Sequence, residues 1–166
     1  MERDERWVVV DGRRWRATDP GIPEALRSEL VAELMDARRT VGTAGRAGDD
    51  DAVAAARRRV QDAKVALGER GEPWWEPPSQ DGRRRRLAAA VRALLRHRRP
   101  EATICPSDAA RVAAGEGWRG AMDAARATGA ELAAADEVEV RAKGEAVDPA
   151  DPPPGPLRFA RGPRFS

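Results

Sequence analysis

The chain has 166 residues, 41% hydrophobic and 35% charged, which is enough for one or two small domains and too little for a large core. Its 30 basic and 28 acidic side chains nearly cancel, so the whole-chain charge selects no partner. The single cysteine, Cys105, excludes an internal disulfide and a multi-cysteine zinc site and fits a reducing compartment.

The charge is unevenly spread. Positions 1–78 hold 14 basic against 16 acidic residues, and positions 79–166 hold 16 against 12. Only Lys64 and Lys143 are lysines, and asparagine and tyrosine are absent, a pattern of GC-rich coding that inflates arginine for mutational reasons. The first eleven residues are charged from the second onward, and no apolar run approaches the roughly 18 residues of a membrane span. The expectation is a cytoplasmic protein with no membrane partner.

In chain order, residues 6–10 and 13–17 flank Asp11-Gly12, the dipeptide that suits a type I′ turn because both central positions need positive φ. A β-hairpin is predicted. After the breaker Thr18-Asp19-Pro20-Gly21, the spacing of Leu26, Leu30, Leu34, Ala37 and Val41 predicts a helix over 22–41, followed by a Gly-rich loop over 42–48. Acidic residues 49–51 then open a second helix, striped by Val53, Ala56, Val60, Ala63 and Leu67 and ended by Gly68 and Gly71. An antiparallel α-hairpin is the simplest pairing. Prolines 73, 77 and 78 make the Trp74-Trp75 segment an extended connector, with a boundary near residue 79. The two tryptophans read best as pinning the connector onto a small core.

The second half opens with a helix whose apolar face holds Leu87, Val91, Leu94 and Leu95 and whose other faces hold Arg84, Arg85, Arg86, Arg92, Arg96, His97 and Arg98. Pro100 stops it. Residues 102–104 form a short strand candidate. A helix begins at Pro106-Ser107-Asp108, with Ser107 as cap and no capping box. Gly115 and Gly117 turn the chain, and Trp118, Met122, Ala125, Gly129 and Leu132 at 4-3-4-3 spacing predict a third helix with Trp118 in the core. Val138, Val140 and Ala142 alternate with charged residues as a half-buried strand, residues 157–161 return beside it, and the Pro-rich stretch 148–156 forms a stiff tip. This is the outline of a winged helix-turn-helix. The expected fold class is therefore α+β, mainly α: a β-hairpin plus antiparallel α-hairpin over 1–72, a Pro/Trp linker over 73–82, and a winged-helix domain over 83–166.

The stretches Thr103-Ile104-Cys105-Pro106-Ser107-Asp108-Ala109-Ala110-Arg111, Gly117-Trp118-Arg119 and Gly155-Pro156-Leu157-Arg158 resemble the bacterial domain of unknown function 3253, a winged-helix-like family, over about half the chain. The resemblance implies no catalytic residue. The N-terminal half, with Arg14-Trp15-Arg16-Ala17-Thr18-Asp19-Pro20 and Ala66-Leu67-Gly68-Glu69-Arg70-Gly71, is similar to short bacterial proteins automatically labelled "biopolymer transporter Tol".

Winged helices that bind nucleic acid lay the third helix and the wing on the duplex. Here that directs attention to Arg84, Arg85 and Arg86 on the first helix, Arg119 and Arg126 on the third, and Arg141, Lys143 and Arg158 on the wing, as groups that neutralise phosphates. The outward sector of the third helix is expected at Gly120, Ala124, Ala127 and Glu131, with Asp123 between the two arginines. Asparagine, the bidentate reader of adenine, is missing, so backbone contacts outweigh base readout. Cys105 reads as a small buried hydrophobe, and His97 as a charge favourable to a helix C-terminus. No Ser-His-Asp set, P-loop, GxGxxG or HExxH occurs, so no catalytic residue, metal or cofactor is expected. The leading expectation is a non-catalytic nucleic-acid-binding or regulatory module, with double-stranded DNA as partner. The competing one is a protein-interaction adaptor that docks a partner through the Ala/Gly face and dimerises through the α-hairpin.

Overall fold

Asp11 and Gly12 take φ values of 50° and 75°, closing a hairpin between β1 (Trp7–Val10) and β2 (Arg13–Arg16). The computed structural model describes residues 4–166, so the first three residues of the unit expected over 1–72 lie outside the described residues.

Helix α1 spans Glu24–Arg46. Gly42 and Gly45, expected to open a loop over 42–48, instead stay inside it. A glycine in a helix costs only about 1 kcal/mol relative to alanine. Burial of Ala37 and Ala44 keeps α1 packed, and the Thr40 and Thr43 hydroxyls donate back to the Asp36 and Arg39 carbonyls at 3.0 Å. The connection shrinks to residues 47–49. Helix α2 (Asp50–Ala66) then starts on Asp49, whose carboxylate accepts the Ala52 N–H at 3.0 Å. Gly68, with φ 79°, turns the chain out of it.

The tryptophans do pin the connector. The Trp74 indole N–H donates to the Ala17 carbonyl at 2.9 Å, and Trp75 meets Trp7 and Trp74 edge-on, with centroids 5.6 and 5.3 Å apart. Helix α3 (Gln80–His97) begins earlier than Arg84, because Ser79 caps it by accepting the Gly82 N–H at 2.9 Å. The Glu72 carboxylate adds a negative charge there by accepting the Ser79 N–H at 3.0 Å.

The expected strand 102–104 is reduced to one bridge, in which Ile104 and Phe159 exchange backbone hydrogen bonds of 2.9 and 2.8 Å. Helix α4 (Pro106–Ala114) is capped by Cys105, not Ser107. The Asp108 carboxylate accepts the Cys105 N–H at 3.1 Å, the reciprocal bond of a capping box, which the sequence reading did not expect because it placed the cap two residues later.

Trp118 is a second departure. It does not open an α-helix and is not fully buried, but sits half-buried against the core in a 3-10 helix (Gly115–Ala121) that precedes α5 (Met122–Ala134). Three glycines among residues 115–120 weaken α-helix there, so the 4-3-4-3 count starts in a segment that does not follow the α-helical period. The fully buried aromatic of this half is Phe159, 1% exposed.

The second sheet has the order β4-β3-β5, all antiparallel, with β3 (Val138–Ala142) central, β4 (Glu145–Ala146) on one edge and β5 (Arg158–Arg161) on the other. Val140 pairs with Phe159. Strand β4 escaped the sequence reading: Lys143 and Gly144 take φ of 52° and 81°, which closes a tight hairpin before the proline-rich stretch begins.

The chain is α+β and mainly helical. Leu26, Leu30 and Leu67 from the first half share one buried cluster with Leu87, Leu94 and Ile104 from the second. The connector near residue 79 thus separates two runs of sequence that bury apolar surface against each other.

Candidate nucleic-acid interface

The arginines of α3 divide by their partners. Arg86 is only 14% exposed; it donates to the Asp19 carboxylate at 2.8 Å and to the Ala66 carbonyl at 3.2 Å. Arg92 pairs with Glu137 at 2.8 Å, and Arg96 with Asp62 at 2.6 Å. Arg98 grips Glu29 with two hydrogen bonds of 3.0 Å, and this carboxylate pushes the already high pKa of the guanidinium up against the opposing effect of burial. These side chains bind the first half of the chain, or the loop before β3, to α3. The interior contacts leave them poorly placed to track phosphates.

Arg84 and Arg85 remain at the surface, their side chains 53% and 76% exposed, although both reach Asp81, at 2.7 and 3.0 Å. Arg84 also approaches Glu131 of α5 at 3.6 Å. The structure therefore brings the start of α3 beside α5, with a carboxylate between them.

On α5 the exposed residues are Asp123, Arg126, Ala127, Glu131 and Ala134, while Ala124 is half-buried, so the outward sector is rotated from the one expected. Arg126 belongs to that sector and makes no hydrogen bond or ion pair among the described residues. Arg119 is exposed in the 3-10 helix and stacks on Trp118 at 4.5 Å, with Arg111 at 4.5 Å from the same ring. Sequence reading missed this cluster. Arg111 and Trp118 lie seven residues apart across two elements, and nothing local signals their approach.

Of the residues expected on a wing, Lys143 stands exposed in the β3–β4 turn. Arg141 donates to Glu139 at 2.7 Å. Arg158 is exposed and donates to the Thr103 hydroxyl and carbonyl at 2.9 and 3.1 Å, which fastens β5 to the strand-like segment before α4. Arg161, not foreseen as functional, caps the C-terminus of α3 by donating to the Leu95 and Arg98 carbonyls at 2.7 and 3.1 Å.

Residues 84–162 match the family described as "Protein of unknown function (DUF3253)". The match starts in the first turns of α3 and ends one residue after β5, so it spans the α3-to-β5 arrangement and includes every candidate cation named above. It takes in no residue before Arg84, so the likeness of the N-terminal half to Tol-labelled proteins draws no support from it. No curated protein matches the chain. Among the described residues, no helix is long and apolar enough to cross a membrane.

The division of the arginines has a measurable consequence. Arg86→Ala strips a partly buried carboxylate, Asp19, of its partner and is expected to lower stability by about 1–3 kcal/mol. Arg85→Ala, at an exposed pair, is expected to change it by less than about 0.5 kcal/mol. Urea denaturation of the two variants checks the contrast, and equal losses would contradict it.

Proposed function

We propose that residues 84–162 form a winged helix that binds duplex nucleic acid without catalysis, mainly through the phosphate backbone, in a cytoplasmic protein. The observation that carries this reading is the order α3, Ile104 bridge, α4, α5, β3, β5, with Ile104 paired to β5 and α5 packed on β3. In a winged helix, α5 is the helix that approaches the groove and the β3–β5 region is the wing. Arg126 on α5 and Arg119 in the 3-10 helix before it, Lys143 and Arg141 on the wing, Arg158 at its base, and Arg84 and Arg85 at the rim supply the positive charge. Arg86 is left out because of its contact with Asp19.

The outward face of α5 offers Arg126 beside Asp123 and two alanines, Ala127 and Ala134. One guanidinium next to a carboxylate supplies little base discrimination, whereas cations contacting phosphates give affinity that falls with salt. Binding of the full chain to random duplexes, titrated from low to near-physiological salt, tests this. The double variant Arg119→Ala/Arg126→Ala is expected to reduce the magnitude of the log–log salt slope by about 1–2 units with little change in sequence preference. Absence of binding at low salt would overturn the proposal in favour of a protein-interaction adaptor, and strong selection of one sequence would overturn its backbone-contact mechanism.

A further inference from the structure

The N-terminal hairpin carries the most exposed large hydrophobic side chains of the described residues. Val8, Val9 and Val10 are 46%, 68% and 55% exposed, in consecutive positions on one strand of a two-stranded sheet. Such an edge, β-branched and free of proline or lysine, is a template for another strand. Its hydrogen-bonding register follows from β2. Val10 pairs with Arg13 across the turn and Val8 with Trp15, and the Ala17 N–H donates to the Arg6 carbonyl at 2.9 Å. The even positions of β1 therefore bond inward, and the backbone groups of Val9 point away from β2.

We propose that β1 pairs antiparallel with β1 of a second copy, about a two-fold axis at Val9, to make a four-stranded sheet. Charge selects both the partner and the register. Pairing centred on Val8 would set Asp11 opposite Glu5 of the other copy. Centring on Val9 sets Asp11 opposite Trp7, whose ring is covered by Arg14 at 4.5 Å. Trp7, Val9 and Arg14 share one face of the hairpin, by strand alternation and the Val9–Arg14 pairing, and Asp11, in the turn just beyond β1, brings its carboxylate to the end of the strand pair where the other copy's Arg14 guanidinium stands. On the opposite face the same register places Val8 beside the partner's Val10 twice, a continuous strip of four valines flanked by a Trp15 on either side. The contact is self-complementary, as a two-fold interface must be. A single short strand pair is smaller than a standard interface, so the dimer is weak and concentration-dependent.

Sedimentation equilibrium of the full chain, from roughly 10 µM to 1 mM, a range that reads weak association, is expected to show a reversible monomer–dimer equilibrium. Val9→Pro removes the outward N–H at an edge position where proline is tolerated, and is expected to be monomeric throughout with an unchanged far-UV spectrum. Asp11→Asn keeps the turn, since asparagine before glycine also suits it, and is expected to weaken dimerisation several-fold and abolish its salt dependence. A wild-type chain that stays monomeric overturns the proposal. So does a Val9→Pro variant that dimerises as the wild type does, which would place the contact elsewhere, for example on the α-hairpin. If Val9→Pro disturbs the spectrum, Asp11→Asn decides alone: dimerisation unchanged at low salt overturns the register and with it the assigned contact.

Discussion

Phe159→Ala is expected to destabilise the protein by about 3–5 kcal/mol, the range for truncating a large core aromatic, which is a large share of the total for a chain of this size. The side chain is 1% exposed. Its backbone joins β5 to a neighbour on each side: it pairs with Val140 of β3, and it bridges to Ile104 on the other. The ring lies over Gly129 of α5, so closely that a Cβ at position 129 would overlap it. Removing the ring therefore opens a cavity at the place where α5, β3 and β5 meet. Chemical denaturation reads the loss directly.

Gly129 gives the same contact an internal control, because a helical glycine is otherwise a defect. Gly129→Ala in the wild-type background forces the Phe159 ring out of place and is expected to cost about 1–3 kcal/mol, as overpacked cores do. In the Phe159→Ala background the obstruction is gone, and only the helix preference for alanine remains. The same substitution should then stabilise by up to about 1 kcal/mol. The sign should reverse between backgrounds, and a double-mutant cycle measures it. A cost of similar size in both would mean that Gly129 is required for another reason and that the ring-on-glycine contact does not hold α5 to the sheet.

How much of this was legible beforehand depends on the range of the interaction. The hairpin at Asp11-Gly12 and the stripe Leu26, Leu30, Leu34 appear in the sequence because turn chemistry and helical period act over a few residues. Trp118 misled for the same reason: its spacing to Met122 and Ala125 is helical, but the glycines around it make the intervening segment 3-10. Phe159 lay in a recognised strand, yet its central place depends on Gly129 and Ile104, which sequence alone does not bring to it. The arginine-rich helix shows the limit most clearly. Arg86 and Asp19 are 67 residues apart and Arg98 and Glu29 are 69 apart, so a run that looks like a solvated cationic face is partly an interior fastening. Arg84 and Arg85 have a near partner, Asp81, one turn away, and stay at the surface.

The α-hairpin supplies the other large expected effect. Glu33 of α1 is 2% exposed, and its two carboxylate oxygens accept from Arg59 Nε and Nη2 at 2.8 and 3.1 Å. Arg59 also reaches the Asp36 carboxylate at 2.6 Å, and that hydrogen bond holds the Asp36 carboxyl below its usual range. Removing one member of a buried pair leaves the other charge desolvated and unpaired, so Arg59→Ala is expected to cost about 3–5 kcal/mol. Replacing both members by leucine removes the orphan charge together with its partner and should be far less costly than the single change. Asp36 adds a pH signature. Because its folded pKa is depressed, its contribution is present above the unfolded pKa and is lost as pH falls through the folded value. The wild type should therefore lose stability on acidification more steeply than Arg59→Ala over that acidic interval, a difference that urea titrations at stepped pH would resolve. Parallel pH profiles, or a double leucine variant no more stable than Arg59→Ala, would mean that α1 and α2 are joined by their alanine and leucine contacts alone.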